Sequence, residues 1–541
     1  NEAILWQEGL GNGRDLGSEI LQSGDDNTGS LLQIGDDNNA AIDQTGDLNS
    51  ASISQTQDDN TAAIGQAGDR NTATLDQDGD DNTAAITQRA DADRNTADID
   101  QTGDGNTATI DQTADESSAF VDQDGDENDA TVKQSAHDNA ATVAQSGDDN
   151  EADIEQSESG NSATVSQSGD ENTADILQSA ADNTASVSQS GDENRANVSQ
   201  TAVDNVATVE QNGTENRATV TQQGTGSSNE AVVRQGTGGG NADQNTAIIT
   251  QSKSGNQALI EQGTGSTAKE NKAGIIQTNN DNTATIRQGI GGTARDNEAT
   301  ATQSGQDNRA TINQGLLGDA NDNTASVTQS GNDNTATVLQ NGNDNEAIVE
   351  QTTDHHTASI TQTGDDATAR ITQGGAENSA DVTQSGDDQD AQVTQSGEDN
   401  RASVTQEGRD HEAVVQQSGN ANTATVTQSG HDNAAVVEQG GHRNRAVIGQ
   451  SNHDNKSAVR QGGSGNEAYV TQVGHNNRRA DVTQDGDDNV AYITQLSSRN
   501  EASISQSGDG NLGMVWQSGG DGNEASINQV GNRGYARIIQ G

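Results

Sequence analysis

The chain has 541 residues and a formal net charge of -59, with 85 acidic against 26 basic residues and only 1% aromatic residues. Hydrophobic residues make up 27%, too few to fill several ordinary globular cores, and the acidity makes nucleic acid an unfavourable partner. Cysteine and proline are absent, which excludes disulfides and thiolate metal sites, and no apolar run is long enough to span a membrane.

An eleven-residue pattern, Asn-x-Ala-x-(Ile/Val)-x-Gln-x-Gly-x-x, begins at the first residue and recurs 47 times, counted by its glutamine from Gln7 to Gln540. Composition and charge alone would predict disorder, but disordered sequences do not hold aliphatic residues in one register over such a length. The chain begins at Asn1 without methionine or a signal-like segment, which predicts a mature or trimmed product.

Each copy of the pattern predicts one β-strand followed by one turn. The Asn, Ala, Ile/Val and Gln positions alternate with polar residues, so all four face the same side of a strand. Glycine with Asp or Asn neighbours follows each glutamine and is typical of a tight turn. Two clear examples of the inward-facing set are Asn150, Ala152, Ile154 and Gln156, then Asn172, Ala174, Ile176 and Gln178.

Five longer insertions indicate how many strands form one rung, the unit that stacks on its copies along the array. They lie near residues 8–15, 236–244, 263–270, 289–296 and 315–322, and each follows an odd-numbered copy of the repeat. A 22-residue strand–turn–strand rung would place all five on one edge, where solvent accommodates them. The sequence therefore predicts an all-β, two-sheet β-solenoid of about 23 rungs with parallel, in-register cross-β stacking, as a single continuous array over residues 1–541.

The inward-facing amides are predicted to stabilise this array. One Ile or Val and one Ala per strand form a thin core, so we expect Asn and Gln side chains to bond to their own copies one rung away. A ladder of buried amides leaves unpaired groups at both of its ends, which favours an end-to-end partner.

The acidic residues of the turns could attract cations, either diffusely or at specific sites. Stacked carboxylates repel, so the sequence predicts staggered aspartates and diffusely condensed cations. The Gly-rich nonapeptide motif of calcium-binding solenoids is absent, and the eight histidines are scattered. We expect no specific metal site, no cofactor and no catalytic residue, and hence no enzyme.

Two further sets of residues depart from the consensus. Ala301 replaces the aliphatic residue, and His356, Ala367, Gln389 and His411 replace the asparagine; we interpret these as tolerated defects. All six aromatics occupy outward positions of odd-numbered copies, at Trp6, Phe120, Tyr469, Tyr492, Trp516 and Tyr535. We predict a contact surface on that outer face, formed by Tyr469, Tyr492, Trp516 and Tyr535 together with Trp6.

The segment Gln145-x-Gly147-x-x-Asn150-x-Ala152-x-x-x-Gln156 resembles the core of the curlin repeat, and the resemblance extends over essentially the whole chain. It implies a secreted, extracellular or cell-surface amyloid fibre subunit of the biofilm matrix, acting in adhesion and surface colonisation. It also implies a nucleator subunit and an outer-membrane secretion channel as partners. Two departures are that both strands mostly begin with Asn rather than Ser, Ser117 being an exception, and that the secretion-targeting tract expected before the repeats is not visible in this sequence.

The alternative function is a soluble monomeric β-solenoid that binds ice, cations or glycans. Outward Thr-x-Thr occurs after Asn422, as in ice-binding solenoids, but charged residues such as Asp153 and Glu155 interrupt such a face elsewhere. Threonine on an exposed strand face is also an ordinary strand preference. Self-assembly into an end-to-end homopolymer is therefore the leading prediction.

Overall fold

A computed structural model of the chain describes residues 1–8, 18–90 and 92–541, and their regular structure is entirely β. These residues form a parallel two-sheet β-solenoid with about 24 turns of about 22 residues. The predicted fold class is confirmed. No helix in the described ranges is long and apolar enough to cross a membrane. The chain divides into two compact units, Asn1–Glu270 and Asn271–Gly541, so the prediction of one continuous array stays a prediction.

The strands of the first unit are five to nine residues long, apart from two short ones in insertions. They are β1 (Glu2–Glu8), β2 (Glu19–Ser23), β3 (Thr28–Ile34), β4 (Asn39–Thr45), β5 (Ser50–Thr56), β6 (Thr61–Ala67), β7 (Thr72–Asp78), β8 (Thr83–Gln88), β9 (Thr96–Thr102), β10 (Thr107–Gln112), β11 (Ser118–Asp124), β12 (Asp129–Gln134), β13 (Ala140–Ser146), β14 (Glu151–Gln156), β15 (Ser162–Ser168), β16 (Thr173–Gln178), β17 (Thr184–Ser190), β18 (Arg195–Gln200), β19 (Val206–Thr214), β20 (Arg217–Gln223), β21 (Glu230–Gln235), β22 (Asn241–Asp243), β23 (Thr246–Ser252), β24 (Gln257–Gln262) and β25 (Thr267–Lys269).

The strands of the second unit follow the same scheme, with two short ones in insertions and a third, β34, in the ordinary turn after Gln340. They are β26 (Lys272–Gln277), β27 (Thr283–Gln288), β28 (Ala294–Arg295), β29 (Glu298–Gln303), β30 (Arg309–Gln314), β31 (Ala320–Asn321), β32 (Thr324–Gln329), β33 (Thr335–Gln340), β34 (Gly342–Asn343), β35 (Glu346–Gln351), β36 (Thr357–Gln362), β37 (Thr368–Gln373), β38 (Ser379–Asp387), β39 (Asp390–Gln395), β40 (Arg401–Arg409), β41 (Glu412–Gln417), β42 (Thr423–His431), β43 (Ala434–Gln439), β44 (Arg445–Gln450), β45 (Lys456–Gln461), β46 (Glu467–Gln472), β47 (Arg479–Asp485), β48 (Val490–Gln495), β49 (Glu501–Ser507), β50 (Leu512–Gln517), β51 (Glu524–Val530) and β52 (Tyr535–Gln540).

Successive long strands alternate between two sheets, here called sheet A and sheet B. In the first unit, sheet A holds the odd-numbered strands β1 to β21 and then β24, and sheet B holds the even-numbered strands β2 to β20 and then β23. In the second unit, sheet A holds β27, β30, β33, β36 and the even-numbered strands to β52. Sheet B there holds β26, β29, β32, β35 and the odd-numbered strands to β51. Pairing is parallel and in register, as between Ile154 and Ile176.

The insertions stack on one another at the edge that follows sheet A. In the first unit, β22 pairs with the end of β19 and then with β25. In the second unit, β28 pairs with β31, and β31 with β34. The insertion near 8–15 lies outside the described residues apart from Glu8.

The interior between the sheets is formed by the alternation read from the sequence. In β14 and β16, every second residue is buried, so the aliphatic and glutamine side chains point inward while charged residues face solvent. Each turn requires left-handed backbone: Gly147 has φ 103°, and a Cβ there would lie 2.4 Å from the carbonyl oxygen of Gly169. The close stacking of turns therefore explains the recurrent glycine.

Candidate functional site

The glutamine side chains form ladders along both sheets. Gln156 accepts a hydrogen bond on its Oε1 from Nε2 of Gln134 at 2.9 Å and donates from its own Nε2 to Oε1 of Gln178 at 2.9 Å. The second Nε2 proton is donated to the carbonyl oxygen of Ala140, in sheet A, at 3.0 Å. One buried amide thus joins its own strand to three others, and all of its polar groups are satisfied.

These ladders have one direction within each unit. In every step, Nε2 donates to the glutamine one rung further along the chain, from Gln7 to Gln262 and from Gln288 to Gln540 in sheet A. In sheet B, the same holds from Gln22 to Gln251 and from Gln277 to Gln529. A chain of hydrogen bonds that all point the same way is polarised along its length, which strengthens each member.

The asparagines form a second ladder of the opposite direction. The backbone N–H of Asn150 and its Nδ2 both donate to Oδ1 of Asn128, at 3.1 and 3.0 Å. Nδ2 also donates to the carbonyl oxygen of Gly169 at 2.8 Å, and Oδ1 accepts from the backbone N–H of Asn172 at 3.1 Å. Because the side chain satisfies turn groups of two neighbouring rungs, asparagine fixes how the turns stack.

All eight inward-facing residues singled out from the sequence lie in this interior. Their exposed fractions are 2% or less. They belong to two neighbouring sheet B strands and the turn residues immediately before them, and they are Asn150, Ala152, Ile154, Gln156, Asn172, Ala174, Ile176 and Gln178.

Aspartates form a third ladder, which sequence reasoning missed. The prediction of staggered aspartates is wrong for the edge that follows sheet A in the first unit, where eight aspartates occupy one column. The backbone N–H of each donates to Oδ1 of the next, as from Asp126 to Asp148 at 3.0 Å. The column consists of Asp36, Asp58, Asp80, Asp104, Asp126, Asp148, Asp170 and Asp192. The recurrence of Asp three residues after glutamine in successive turns could have indicated it.

The outer face of sheet A also carries aspartates opposite one another. Asp100 is in register with Asp76 on one side and with Asp122 on the other. Desolvation and then the charges of Asp76 and Asp122 raise the pKa values of both Asp98 and Asp100. Within the described residues, no group of three or more His, Asp or Glu side chains has an arrangement that could hold a metal ion.

The aromatic residues all lie on sheet A and point outward. Trp6, Phe120, Trp516 and Tyr535 are 62%, 41%, 45% and 64% exposed. The rings of Tyr469 and Tyr492 stack at 5.0 Å between centroids.

Aliphatic side chains extend this aromatic group across β46, β48, β50 and β52. Tyr492 is in register with Met514, and Trp516 with Ile539. The C-terminal outer patch is defined here as Tyr469, Tyr492, Met514, Trp516, Tyr535 and Ile539. Trp6 lies in β1 of the first unit, in register with Leu32. That these residues form a contact surface stays a prediction.

The repeat is matched by the family described as the curlin associated repeat, at residues 24–56, 58–89, 92–125, 125–157, 159–191, 191–224, 294–331, 331–364, 364–397, 397–430 and 497–531. A search of curated proteins finds no match to the chain. Curlin repeats are structural units of extracellular curli fibres. The matched segments cover more than half of the chain in both units and coincide with the rungs that carry the amide ladders. The chain belongs to the curlin repeat family.

Proposed function

We propose that the chain is a secreted structural subunit of a curli-like functional amyloid, which stacks end to end into extracellular fibres that support biofilm matrix, adhesion and surface colonisation. The observation that supports this most is the direction of the glutamine ladders. Every rung offers Nε2–H donors on one side and Oε1 acceptors on the other, so the two edges of a rung are complementary. By the family resemblance, a nucleator and an outer-membrane channel would start and export the fibre.

The outermost strands of the chain carry the same chemistry at the ends of the ladders. Gln540 accepts from Nε2 of Gln517 at 2.7 Å, and its own Nε2 donates to the carbonyl oxygen of Glu524 at 2.9 Å. Gln7 is exposed, whereas Gln33, its partner in the next rung, is 3% exposed. Placing β1 of a second copy on β52 would align Gln7 with Gln540 and continue the parallel register.

Fibre formation tests this proposal directly. At micromolar concentration, the 541-residue chain is expected to form unbranched fibres in electron micrographs. X-ray diffraction should give reflections near 4.7 Å along the fibre and about 10 Å across it. A protein that stays monomeric under these conditions, with or without added seeds, would contradict end-to-end assembly and would favour the monomeric binding module.

A matched pair of variants in β52 separates end-to-end growth from other contacts. Ile538 points inward and would be buried between two copies, whereas the adjacent Arg537 points outward, is exposed and lies outside the C-terminal outer patch. Ile538→Lys is expected to slow seeded elongation by about tenfold or more, because an unpaired ammonium would be buried at the junction. Arg537→Ala should leave elongation within about twofold; equal slowing by both would argue against this junction.

The C-terminal outer patch is proposed to make lateral or head-to-tail contacts. Replacing Tyr469, Tyr492, Trp516 and Tyr535 by serine together should weaken bundling or elongation, because exposed aromatics contribute most where they become buried against a partner. Phe120→Ser removes an exposed aromatic outside the patch and serves as the control. Electron microscopy and light scattering report the result, and unchanged assembly of the fourfold variant would disprove the role of the patch.

A further inference from the structure

Five turns of the second unit lack asparagine at the ladder position: one has Gly534 there, and the other four lie between residues 356 and 411. His356 takes this position at the turn into sheet A, and Ala367, Gln389 and His411 take it in three successive turns into sheet B. Both histidines are buried, with 1% exposure. The sequence alone suggests tolerated defects, but the geometry of the turns gives the two histidines a common property.

Each histidine keeps the bond in which the ladder side chain accepts from the backbone N–H of the ladder residue one rung further on. Nε2 of His411 lies 3.0 Å from the carbonyl oxygen of Glu407, which can only accept, and Nδ1 lies 3.3 Å from the backbone nitrogen of Asn433, which donates. In the next rung, Asn433 makes the corresponding bonds with Nδ2 to the carbonyl oxygen of Ser429 and with Oδ1 from the backbone N–H of Asn455. These partners select the neutral tautomer of His411 with its proton on Nε2.

His356 occupies the same arrangement on the other edge. Its Nδ1 lies 3.2 Å from the backbone nitrogen of Asn378, and its Nε2 lies 2.8 Å from Oγ1 of Thr353. In both histidines, therefore, Nδ1 serves as the acceptor that joins one rung to the next. A proton on Nδ1 would place two N–H groups against each other and remove that acceptor.

The neighbouring rungs cannot compensate for this loss. Ala367 has no side-chain acceptor, and Oε1 of Gln389 is buried without a hydrogen-bond partner in the described part of the chain. The asparagine ladder into sheet B is thus interrupted at three consecutive positions, between Asn345 and Asn433. Hydrogen bonds of the flanking strands and the glutamine ladder still hold these rungs together.

The charges near the two histidines come from their own turns and from the next rung. Desolvation lowers the pKa of His356, opposed by the charge of Asp354 and assisted by His355, while Asp333 lies 3.7 Å from His355. Desolvation also lowers the pKa of His411, with His431 assisting and Asp432 and Asp410 opposing. A histidine whose pKa is lower in the folded state than its ordinary 6.5 takes up more protons when its surroundings open. The folded segment therefore loses stability as the pH falls below about 6.5.

We propose that the segment Glu346–Gln417 is an acid-sensitive joint of the second unit, in which protonation of His356 and His411 breaks the asparagine ladder and opens the surrounding rungs. This property concerns the folded chain and does not rest on fibre formation. Its failure and the failure of the proposed function are therefore separate results.

Hydrogen exchange of the full 541-residue chain at pH 7.5 and pH 5.0, corrected for intrinsic exchange rates, tests the joint. Peptides from Glu346–Gln417 are expected to lose protection by up to about thirtyfold for each histidine that stays neutral while folded, because pH 5.0 lies about 1.5 units below the ordinary histidine pKa of about 6.5. The segment Glu151–Gln211, with asparagine at every ladder position, should not lose protection.

Two double variants test whether His356 and His411 cause the loss of protection at pH 5.0. The double variant His356→Asn and His411→Asn restores the consensus and is expected to abolish the loss of protection at pH 5.0. The control, His137→Asn with His442→Asn, changes two exposed turn histidines and should keep the wild-type response. Unchanged protection of the wild type at pH 5.0, or an equal loss in the double asparagine variant, would overturn the proposal.

Discussion

Replacing Gln178 by leucine is expected to destabilise the rungs around it by about 2–6 kcal/mol, although leucine is apolar and similar in size. Gln178 accepts from Nε2 of Gln156 and donates to Oε1 of Gln200, each at 2.9 Å. Leucine would leave those two buried groups without their partners in the ladder, and each orphaned buried group costs about 1–3 kcal/mol. The penalty comes from the neighbours that lose a partner rather than from the residue that is replaced.

Native-state hydrogen exchange of the flanking strands β14, β16 and β18 measures this effect. Hydrogen exchange is preferred to a global denaturation curve because stacked repeats can open locally and do not unfold as one two-state unit. Leu177→Ala is the matched control, since Leu177 is the adjacent residue on the outer face and is 37% exposed. Its cost should stay within about 0.5 kcal/mol. Equal effects of the two substitutions would show that the glutamine ladder does not determine stability.

The architecture of the rung could be predicted from the sequence because the residue pattern that specifies it is local and repeated. Alternation from Asn150 to Gln156 determines which residues face inward, and the positions of the insertions determine that two strands form a rung. Both sheets, the parallel register and the outward position of the aromatics follow from these two facts. The amide ladders also follow, because Asn and Gln recur at buried positions that only the next rung can satisfy.

Features that depend on backbone direction within the turns could not be predicted in this way. The stacked aspartates are tolerated because the backbone N–H of Asp126 points at the carboxylate of Asp148, and the sequence does not specify that direction. The role of His411 likewise depends on which ring nitrogen faces the carbonyl oxygen of Glu407. The short strand β22 was missed because the glycines that precede Asn241 carry no alternating pattern.

Neutralising aspartates in the first unit is expected to change stability in opposite directions on the outer face of sheet A and in the ladder of the turns. Replacing Asp76, Asp100 and Asp122 by asparagine should stabilise their rungs by about 1 kcal/mol at low salt. The reason is that like charges directly opposite on neighbouring strands repel, and solvent and salt screen most of that repulsion. Asp148→Ala removes a similar exposed charge but should destabilise the turn by about 1 kcal/mol, because the backbone N–H of Asp126 loses its acceptor.

Hydrogen exchange at two salt concentrations distinguishes the two kinds of aspartate. The gain from the triple substitution should largely disappear in about 0.5 M salt, whereas the loss from Asp148→Ala should persist, since it comes from a hydrogen bond.

Added salt, divalent cations or mild acid should also accelerate fibre growth from a chain of net charge -59. Slower growth in added salt would contradict the view that charge repulsion limits assembly.

Acid should therefore act on two segments of the chain in opposite directions. The pKa values of Asp98 and Asp100 are raised by desolvation and then by neighbouring carboxylates, so the folded state takes up more protons than the unfolded chain as the pH falls toward the ordinary value of 3.8. Peptides covering Thr96–Thr102, which carries both aspartates, should gain protection on acidification, while those from Glu346–Gln417 lose it. Because both segments are observed in one exchange experiment on one chain, a uniform change in both would show that neither the carboxylate pairs nor the buried histidines control the response to pH.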